Sequence, residues 1–260
     1  MRRSIPIVLV FGGVVTAAIL GISILHDENG KMDFTKPVNK RTDTPPAADS
    51  WKKIHDWLAA KAPKIRENLN PGASDREIVS AEKQIGASLP AEWHDFYRVH
   101  DGMNDTKNIG SLFFGMSVLP LSRVVDECAT NFASIDKLGN DYTSLKVRAA
   151  DAGISRDDTY NRRWIPFCHG AGETLLCIDM DPGPGGRAGQ VIFVDHADDT
   201  AILVASSLTE FIASFVSDLE AGRYWLDPEA LKDGDEFLNC DPEIDIVNWA
   251  ASPRWKHLRD

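Results

Sequence analysis

The sequence predicts a domain of mixed helices and strands behind one membrane-spanning helix. Residues 174–196 hold two apolar runs, 174–180 and 191–195, around a loop rich in Gly and Pro, and this pattern is typical of a β-hairpin. Residues 208–219 repeat apolar side chains at helical spacing, which predicts an amphipathic helix. Residues 5–25 form an uncharged apolar run, long enough for a transmembrane helix.

Charge on either side of the apolar run predicts its orientation. Arg2 and Arg3 precede it, and Asp27 and Glu28 follow it. Because positive residues stay in the cytoplasm, we expect a single-pass membrane protein whose N-terminal tail is cytoplasmic and whose domain is periplasmic or otherwise extracytoplasmic. Basic residues within 31–41 favour the alternative, a cytoplasmic domain. A cleaved signal peptide fits less well, since its apolar region is shorter and ends at a small-x-small site.

Composition divides the rest of the chain. After the tail at 1–4 and the anchor at 5–25, residues 26–50 hold Pro and scattered charge with little apolar material, which predicts a linker. The domain is expected at 51–222. An acidic extension at 223–260 keeps several Trp residues, so we expect it to pack back on the domain.

The first helices of the domain have recognisable ends. Trp and aliphatic residues at helical spacing predict a helix at 51–60. Ser74 and Glu77 have the spacing of a capping box, which predicts a helix start. Gly86 can end that helix in the left-handed conformation, and Pro90 suits the first turn of the next one.

The following elements are read from shorter signals. Residues 111–121 are typical of a strand with a Gly bend, and Ser122 is the expected cap of a helix. Residues 131–162 have weak periodicity, which predicts a loop with a short helix. Residues 164–167 predict an edge strand, because Pro166 cannot donate to a central ladder. The helix at 208–219 should begin at Ser207, where the capping-box spacing recurs.

Charge is concentrated in the C-terminal half. Residues 151–260 carry 21 acids and 9 bases, a balance of −12, whereas residues 1–150 have a balance of +1. An acidic surface repels nucleic acid, so we expect no nucleic-acid partner. The same surface would attract a basic protein. Solubility alone is the plainer explanation of the charge.

The hairpin loop does not match two known ligand loops. A phosphate-binding loop requires Gly-Lys-Ser/Thr entering a helix, but here residues 186–188 are Gly-Arg-Ala and enter a strand. An EF-hand counted from Asp179 would place Pro184 at the sixth position and Gln190 at the twelfth, where Gly and Glu are required.

Acidic side chains at the hairpin leave two interpretations open. Asp179 and Asp181 share a strand face, and with Asp195 they could form a carboxylate metal site. Solvated acids at strand ends are the favoured interpretation, so no metal and no cofactor is expected. As a binding platform, the hairpin offers Asp179 and Asp181 on one face and Arg187 in the loop. Trp164, with the loop at 131–162, is the second candidate surface.

Catalysis has little support in the sequence. Neither G-x-S-x-G nor H-E-x-x-H occurs. Cys168 and His169 are adjacent, and neighbours on a strand point to opposite faces, so they cannot form a dyad. No C-x-x-C pair occurs, so zinc and thioredoxin-like sites lack their spacing, while disulfides stay open. The cysteines are Cys128, Cys168, Cys177 and Cys240.

Several motifs in order resemble the Smi/Knr-like (SUKH) superfamily. They are LNPGASDREIVSAEKQIGASLPAEWHDFYRVHDG at 69–102, LFFGMSVLPL at 112–121, WIPF at 164–167, and LLCIDMDPGPGG followed by GQVIFVDH at 175–196. The likeness covers about residues 51–222. It implies an α+β fold with helices packed against a mainly antiparallel sheet, and it implies no catalysis.

The resemblance also implies function. Bacterial members are commonly immunity proteins that neutralise toxins, and fungal members act in cell-wall regulation through protein contacts. With a membrane anchor, the expected function is an immunity protein that binds a toxin with a basic surface. A cell-envelope or cell-wall regulatory scaffold is the alternative, and an uncharacterised hydrolase is the alternative of another class.

Overall fold

A computed structural model describes residues 46–104, 111–138, 146–170 and 173–259 of the chain. The helices are α1 (Pro46–Lys61), α2 (Pro63–Glu67), α3 (Asp75–Ile85), α4 (Ala91–Val99), α5 (Leu121–Leu138), α6 (Leu208–Glu220), α7 (Pro228–Lys232) and a final 3-10 helix (Lys256–Arg259). The strands are β1 (Ser117–Val118), β2 (Ala149–Ala150), β3 (Trp164–His169), β4 (Thr174–Asp179), β5 (Gln190–Asp195), β6 (Thr200–Ala205), β7 (Tyr224–Leu226) and β8 (Leu238–Cys240).

The membrane prediction needs correction. Searched over the described residues, the chain offers no helix with both the length and the apolar character that a bilayer crossing requires. The prediction of a single-pass membrane protein with an extracytoplasmic domain is therefore not upheld. The tail and apolar run that suggested it, residues 1–25, lie outside the described residues, as does most of the predicted linker. The end of that linker is helical, since α1 begins at Pro46.

Six strands form one sheet in the order β1-β3-β4-β5-β6-β2. Neighbouring strands are antiparallel, except that β2 runs parallel to β6. β4 and β5 are the arms of the predicted hairpin, with Thr174 opposite Asp195 and Asp179 opposite Gln190. The prediction of an α+β fold with a mainly antiparallel sheet is confirmed.

The predicted edge strand lies one place in from the edge. β1 is outermost, but it is two residues long and pairs only with Cys168 and His169 of β3. Pro166 lies before that pairing, and the register shifts between Pro166 and Cys168. A residue without an N–H is tolerated here because the short outer strand does not reach it.

Helices cover one face of the sheet. Side chains of α1, α4 and α6 share a core with side chains of the sheet. Phe113 is fully buried in this core, and its ring centroid lies 4.8 Å from that of Phe211 and 4.7 Å from that of Phe215 in edge-on contacts. Such aromatic packing adds to area burial. The sheet residues of this core are Ile165, Phe167, Cys168, Leu176, Ile178, Val191, Phe193 and Ile202.

The second face of the hairpin is also buried, which corrects the expectation that the acids at its strand ends are solvated. Every residue of β4 and of β5 is buried. An irregular segment at 146–163 lies over this face and contributes Val147, Ala150 and Ile154 to a second core. A sheet covered on both sides reads as a continuous apolar run rather than an alternating one. The sheet residues of this second core are Trp164, Leu175, Cys177, Ile192, Val194 and Ala201.

α5 differs from its prediction in length and in capping. It runs to Leu138, well into the segment predicted as a loop with a short helix. Its first N–H, that of Leu121, donates to Asp101 Oδ1 at 2.7 Å. A carboxylate at a helix N-terminus accepts from an N–H that has no partner within the helix, and its negative charge interacts favourably with the helix dipole. Asp101 therefore takes the role that the sequence suggested for Ser122.

The two predicted helix caps allow a stability test. Ser74 Oγ accepts from Glu77 N–H (3.3 Å), and Glu77 Oε2 accepts from Ser74 N–H (2.8 Å), a complete capping box. Ser207 Oγ accepts from Glu210 N–H at 3.2 Å. The Glu210 carboxylate accepts instead from the Ser206 hydroxyl, so the return hydrogen bond of a capping box is not made. Ser→Ala at either cap should lower the free energy of unfolding by about 0.5–2 kcal/mol.

Chemical denaturation of each variant measures this loss. Ser217→Ala is the matched control, because Ser217 is exposed within α6 and Ala has the higher helix propensity. Unchanged midpoints for both cap variants would contradict the assigned capping.

Candidate functional site

The hairpin loop at 180–189 is held against the turn at 151–155. Gly183 N–H donates to Gly153 O at 3.0 Å, and Gln190 Nε2 donates to the same carbonyl at 2.9 Å. A Cβ built on Gly186 would lie 2.0 Å from that oxygen, so only glycine allows this approach. The loop therefore has one ordered path across the end of the sheet.

Asp179 lies inside this arrangement and not on a wet strand face. Its side chain has 0% exposure. Oδ1 accepts from Asp181 N–H at 2.9 Å, and Oδ2 accepts from Gln190 Nε2 at 2.8 Å. Burial raises the pKa of the Asp179 carboxyl, and these hydrogen bonds oppose the rise. Asp179 thus positions the loop and is inaccessible to a partner.

The other predicted binding residues differ in accessibility. Asp181 is exposed, and its carboxylate accepts from Asn161 Nδ2 at 2.9 Å. Arg187 is exposed, and its backbone N–H donates to Gln190 Oε1 at 3.0 Å. Trp164 is buried in the second core. Of the four predicted binding residues, only Asp181 and Arg187 present side chains to solvent, so the predicted cluster is brought together only in part.

The carboxylate metal site does not form. Asp179 pairs with Gln190 and Asp195 pairs with Thr174, at opposite ends of the hairpin. The two carboxylates are therefore five residue steps apart along the hairpin, a distance of roughly 17 Å. Within the described residues, no group of three or more His, Cys, Asp or Glu side chains could hold a metal ion.

The opposite end of the sheet carries a polar cavity that the sequence did not reveal. It has a volume of about 180 Å³ and is lined by Glu127, Tyr160, His169, Glu173, Leu175 and His196. The Tyr160 and His196 rings are stacked, with centroids 4.3 Å apart and an interplanar angle of 6°. No local pattern indicates this pair, because Tyr160 lies in an irregular segment and His196 follows a strand.

Charge around this cavity is acidic. Burial lowers the pKa of His196, while the carboxylates of Glu173, Asp195, Asp199 and Asp158 act to raise it. The pKa of Tyr160 is raised by burial and by the carboxylates of Glu173 and Asp199. The imidazole is consequently neutral near pH 7, inside a ring of negative charge.

A histidine pair links α1 to the end of α4. His100 Nδ1 lies 2.6 Å from the Asn70 carbonyl oxygen. Because a carbonyl only accepts, Nδ1 carries the proton. Nε2 of neutral His100 is therefore the acceptor, and His55 Nε2–H donates to it at 2.6 Å. Trp51 packs against this pair, with ring centroids 5.2 Å from His100.

This pair predicts a loss of stability in mild acid. Burial lowers the pKa of both rings, and the neighbouring His100 and Arg66 lower that of His55 further. In the unfolded chain the two imidazoles take up protons near pH 6.5, whereas in the folded chain they do so only at lower pH. The free energy of unfolding should therefore fall as pH drops below about 6.5.

Denaturant titrations at several pH values test this. His55→Gln keeps a side-chain donor for His100 and removes one titrating group, so its stability should fall less between pH 7 and pH 5.5 than that of the wild type. His169→Gln is the control, because His169 is exposed on β3. A slope as steep in His55→Gln as in the wild type would contradict the assignment.

The cysteines do not form a nucleophilic site. All four are in the described part of the chain and are free thiols. Burial raises the pKa of the Cys168 thiol well above its usual range, so the thiolate that nucleophilic catalysis needs is disfavoured. Its sequence neighbour His169 is exposed while Cys168 is buried, which matches the expectation that the two point apart.

The model of the SMI1 / KNR4 family (SUKH-1) matches residues 72–214, more than half of the chain. This chain belongs to the SMI1 / KNR4 family. The matched region runs from the turn before α3 to within α6, so it includes the main sheet and the polar cavity at its end.

Relatives of this SMI1 / KNR4 family chain are found among fungal regulators. It is 27% identical to KNR4/SMI1 homolog 2 of Debaryomyces hansenii, over 77% of this chain and 41% of the relative. It is 25% identical to the cell wall biosynthesis/cell cycle regulator smi1 of Schizosaccharomyces pombe (79% and 42%) and 24% identical to the cell wall assembly regulator SMI1 of Saccharomyces cerevisiae (75% and 44%).

The chain thus spans about two fifths of the length of these relatives. The predicted family is confirmed. The expected subtype is corrected, since these relatives are fungal cell-wall regulators and give no support to the bacterial immunity type or to a toxin partner.

Proposed function

We propose that the chain is a non-enzymatic protein-binding module that regulates assembly of the cell wall or cell envelope. Relatives over most of the described chain are named as regulators of cell-wall biosynthesis and assembly. The relatives are more than twice as long as the matched region, so what their additional segments do is not transferred to this chain.

The concentration of acidic residues in the C-terminal half supports the binding proposal. Residues 151–260 have a balance of −12, and they supply both accessible ends of the hairpin. Asp181 lies at one end, and Glu173, on the turn before β4, lies at the other. An acidic surface on an ordered sheet attracts a partner with a basic surface and accelerates its association.

Association kinetics of a partner captured on the immobilised full chain test this proposal. The association rate should fall as salt rises, because the screening length falls from about 10 Å at 0.1 M to about 3 Å at 1 M. Asp181→Lys should slow association several-fold at low salt and have little effect on dissociation, which is typical of a charge at the rim of an interface.

Glu67→Lys is the matched control. Glu67 is exposed at the end of α2, outside the acidic half, and the substitution makes the same change in net charge. Equal slowing in both variants would show an effect of total charge without a localised site. A partner whose association ignores salt and both substitutions would refute binding through the acidic half.

A further inference from the structure

The polar cavity at the end of the sheet continues towards the second core. A smaller space of about 10 Å³ is lined by Thr159, Tyr160, Asn161, Trp164, Leu175, Cys177, Val194 and His196. It shares Tyr160, Leu175 and His196 with the larger cavity. A volume of this size accommodates about one water-sized group. We call the smaller space the recess.

Three residues that line the recess carry a buried polar atom without a hydrogen-bond partner in the described part of the chain: Thr159, Trp164 and His196. The Trp164 indole N–H acts on the Asp179 carboxylate, where it opposes the rise in pKa, which leaves Thr159 and His196 for a bound group. Thr159 is 1% exposed, and among the described residues neither its Oγ1 nor Nδ1 of His196 has a hydrogen-bond partner. Buried polar side chains are nearly always paired, and an unpaired one costs free energy. Thr159 and His196 line the same small space, so one bound group could satisfy Thr159 Oγ1 and His196 Nδ1 together.

The residues around the recess favour a bound group that carries a positive charge. Carboxylates of Asp158, Glu173, Asp195 and Asp199 act on His196, and this field disfavours an anion. The Trp164 ring lines the recess, and aromatic faces attract cations, whereas the Tyr160 face that stacks on His196 is already occupied. A hydroxyl oxygen and the unprotonated nitrogen of a neutral imidazole can both accept hydrogen bonds.

The size of the recess favours a lysine side chain over an arginine side chain. A lysine ammonium is a single heavy atom with three donors and no acceptor, about the size of a water molecule. A guanidinium is a planar group of four heavy atoms with its donors in a fixed fork, larger than the single water-sized group that the recess accommodates. The larger cavity outside, about 180 Å³, leaves room for the aliphatic part of the side chain.

We infer that the recess formed by Thr159, Tyr160, Trp164 and His196 receives a lysine side chain of the protein partner. The ammonium donates to Thr159 Oγ1 and to His196, and Glu173 at the cavity mouth supplies the attraction that guides it in. This inference rests on the proposed function, which supplies the protein partner, and it specifies that the partner presents a lysine side chain.

Nuclear magnetic resonance of the full chain, titrated with Nα-acetyl-lysine-N-methylamide, tests the recess directly. Resonances of the Thr159 methyl and the His196 ring should shift in a saturable way. The arginine analogue should shift them less, and the uncharged norleucine analogue should not shift them. Equal responses to lysine and norleucine analogues, or no response to either, would overturn the inference and leave the recess to solvent. An arginine response as strong as that of lysine would overturn it too.

Two variants separate binding from folding. Thr159→Val replaces an unsatisfied hydroxyl with a methyl group, so the denaturation midpoint should be kept, while lysine binding should weaken at least about tenfold, as expected for loss of a hydrogen bond to a charged group. Glu173→Gln, on an exposed residue, should weaken it several-fold in low salt only. Unchanged lysine binding in Thr159→Val, or, should that variant not fold, in Glu173→Gln, would overturn the inference.

The captured partner distinguishes this inference from the proposed function. If Asp181→Lys slows the partner but Thr159→Val leaves its affinity unchanged, the proposed function stands and the lysine recess is wrong. If the lysine analogue binds the recess but no partner responds to salt or to Asp181→Lys, the recess stands and the proposed function fails.

Discussion

Gly102→Ala is expected to destabilise the domain by roughly 2–5 kcal/mol, the sum of a backbone and a packing penalty. Gly102 has φ +65°, in the left-handed region that side chains with a Cβ disfavour. A Cβ at this position would also lie 2.3 Å from Pro120 N and 2.4 Å from Leu119 C. Those are backbone atoms, so a rotamer change cannot relieve the clash.

Gly86→Ala is the matched control for this prediction. Gly86 has φ +78° at the end of α3, and its added Cβ would meet nothing within 4 Å. It therefore shares the backbone penalty, about 1–2 kcal/mol, and lacks the clash. Denaturant midpoints of the two variants, measured together, give the packing penalty as their difference. Equal losses would show that the approach of Gly102 to residues 119–120 is not close in solution.

The triplet His100-Asp101-Gly102 thereby has a structural explanation. His100 donates to the Asn70 carbonyl, Asp101 Oδ1 accepts the first N–H of α5, and Gly102 fits against the chain before α5. The same turn is closed by Gly102 O accepting from Asn70 N–H at 3.0 Å. This triplet ends the string at 69–102 that resembles the family, and it joins α4, α5 and the turn before α3, so its role in this chain follows from packing.

Local signals in the sequence predicted much of the fold. The hairpin arms are found within one residue of their predicted bounds, because strand-forming runs next to a Gly/Pro loop leave little choice. The capping box at Ser74 is complete, and Gly86 ends α3 in the left-handed conformation as expected. These features depend on residues within a few positions of one another, which is what sequence patterns report.

Features that depend on distant parts of the chain were predicted poorly. The sequence pattern predicts a solvated carboxylate at Asp179, because acids are usually exposed, but its partner Gln190 and the covering turn at Gly153 bury it. The recess requires Thr159, Trp164 and His196 to meet across separate segments. No spacing along the sequence encodes such a meeting, so this part of the candidate site became visible only in three dimensions.

Trp255→Ala should cost about 3–5 kcal/mol, the loss typical of truncating a buried aromatic side chain. Trp255 is 7% exposed and belongs to the main core. Its indole N–H donates to the Ile244 carbonyl at 2.8 Å, and its ring meets Phe114 edge-on. The neighbouring Arg254 forms a two-armed ion pair with buried Asp218 of α6, at 2.9 and 3.1 Å.

The physical basis of this prediction is that residues after 222 complete the core of the sheet domain. Ile244, Ile246 and Trp249 are buried in the same cluster as Trp255, although the family model ends at residue 214. Trp225→Ala is the matched control, because that ring is 42% exposed on the short strand β7, and it should cost clearly less. Thermal or chemical unfolding should show one shared transition in both variants, with the larger loss in Trp255→Ala. A separate early transition, or a loss no greater than that of Trp225→Ala, would mean that the C-terminal segment unfolds independently and leaves the domain core intact.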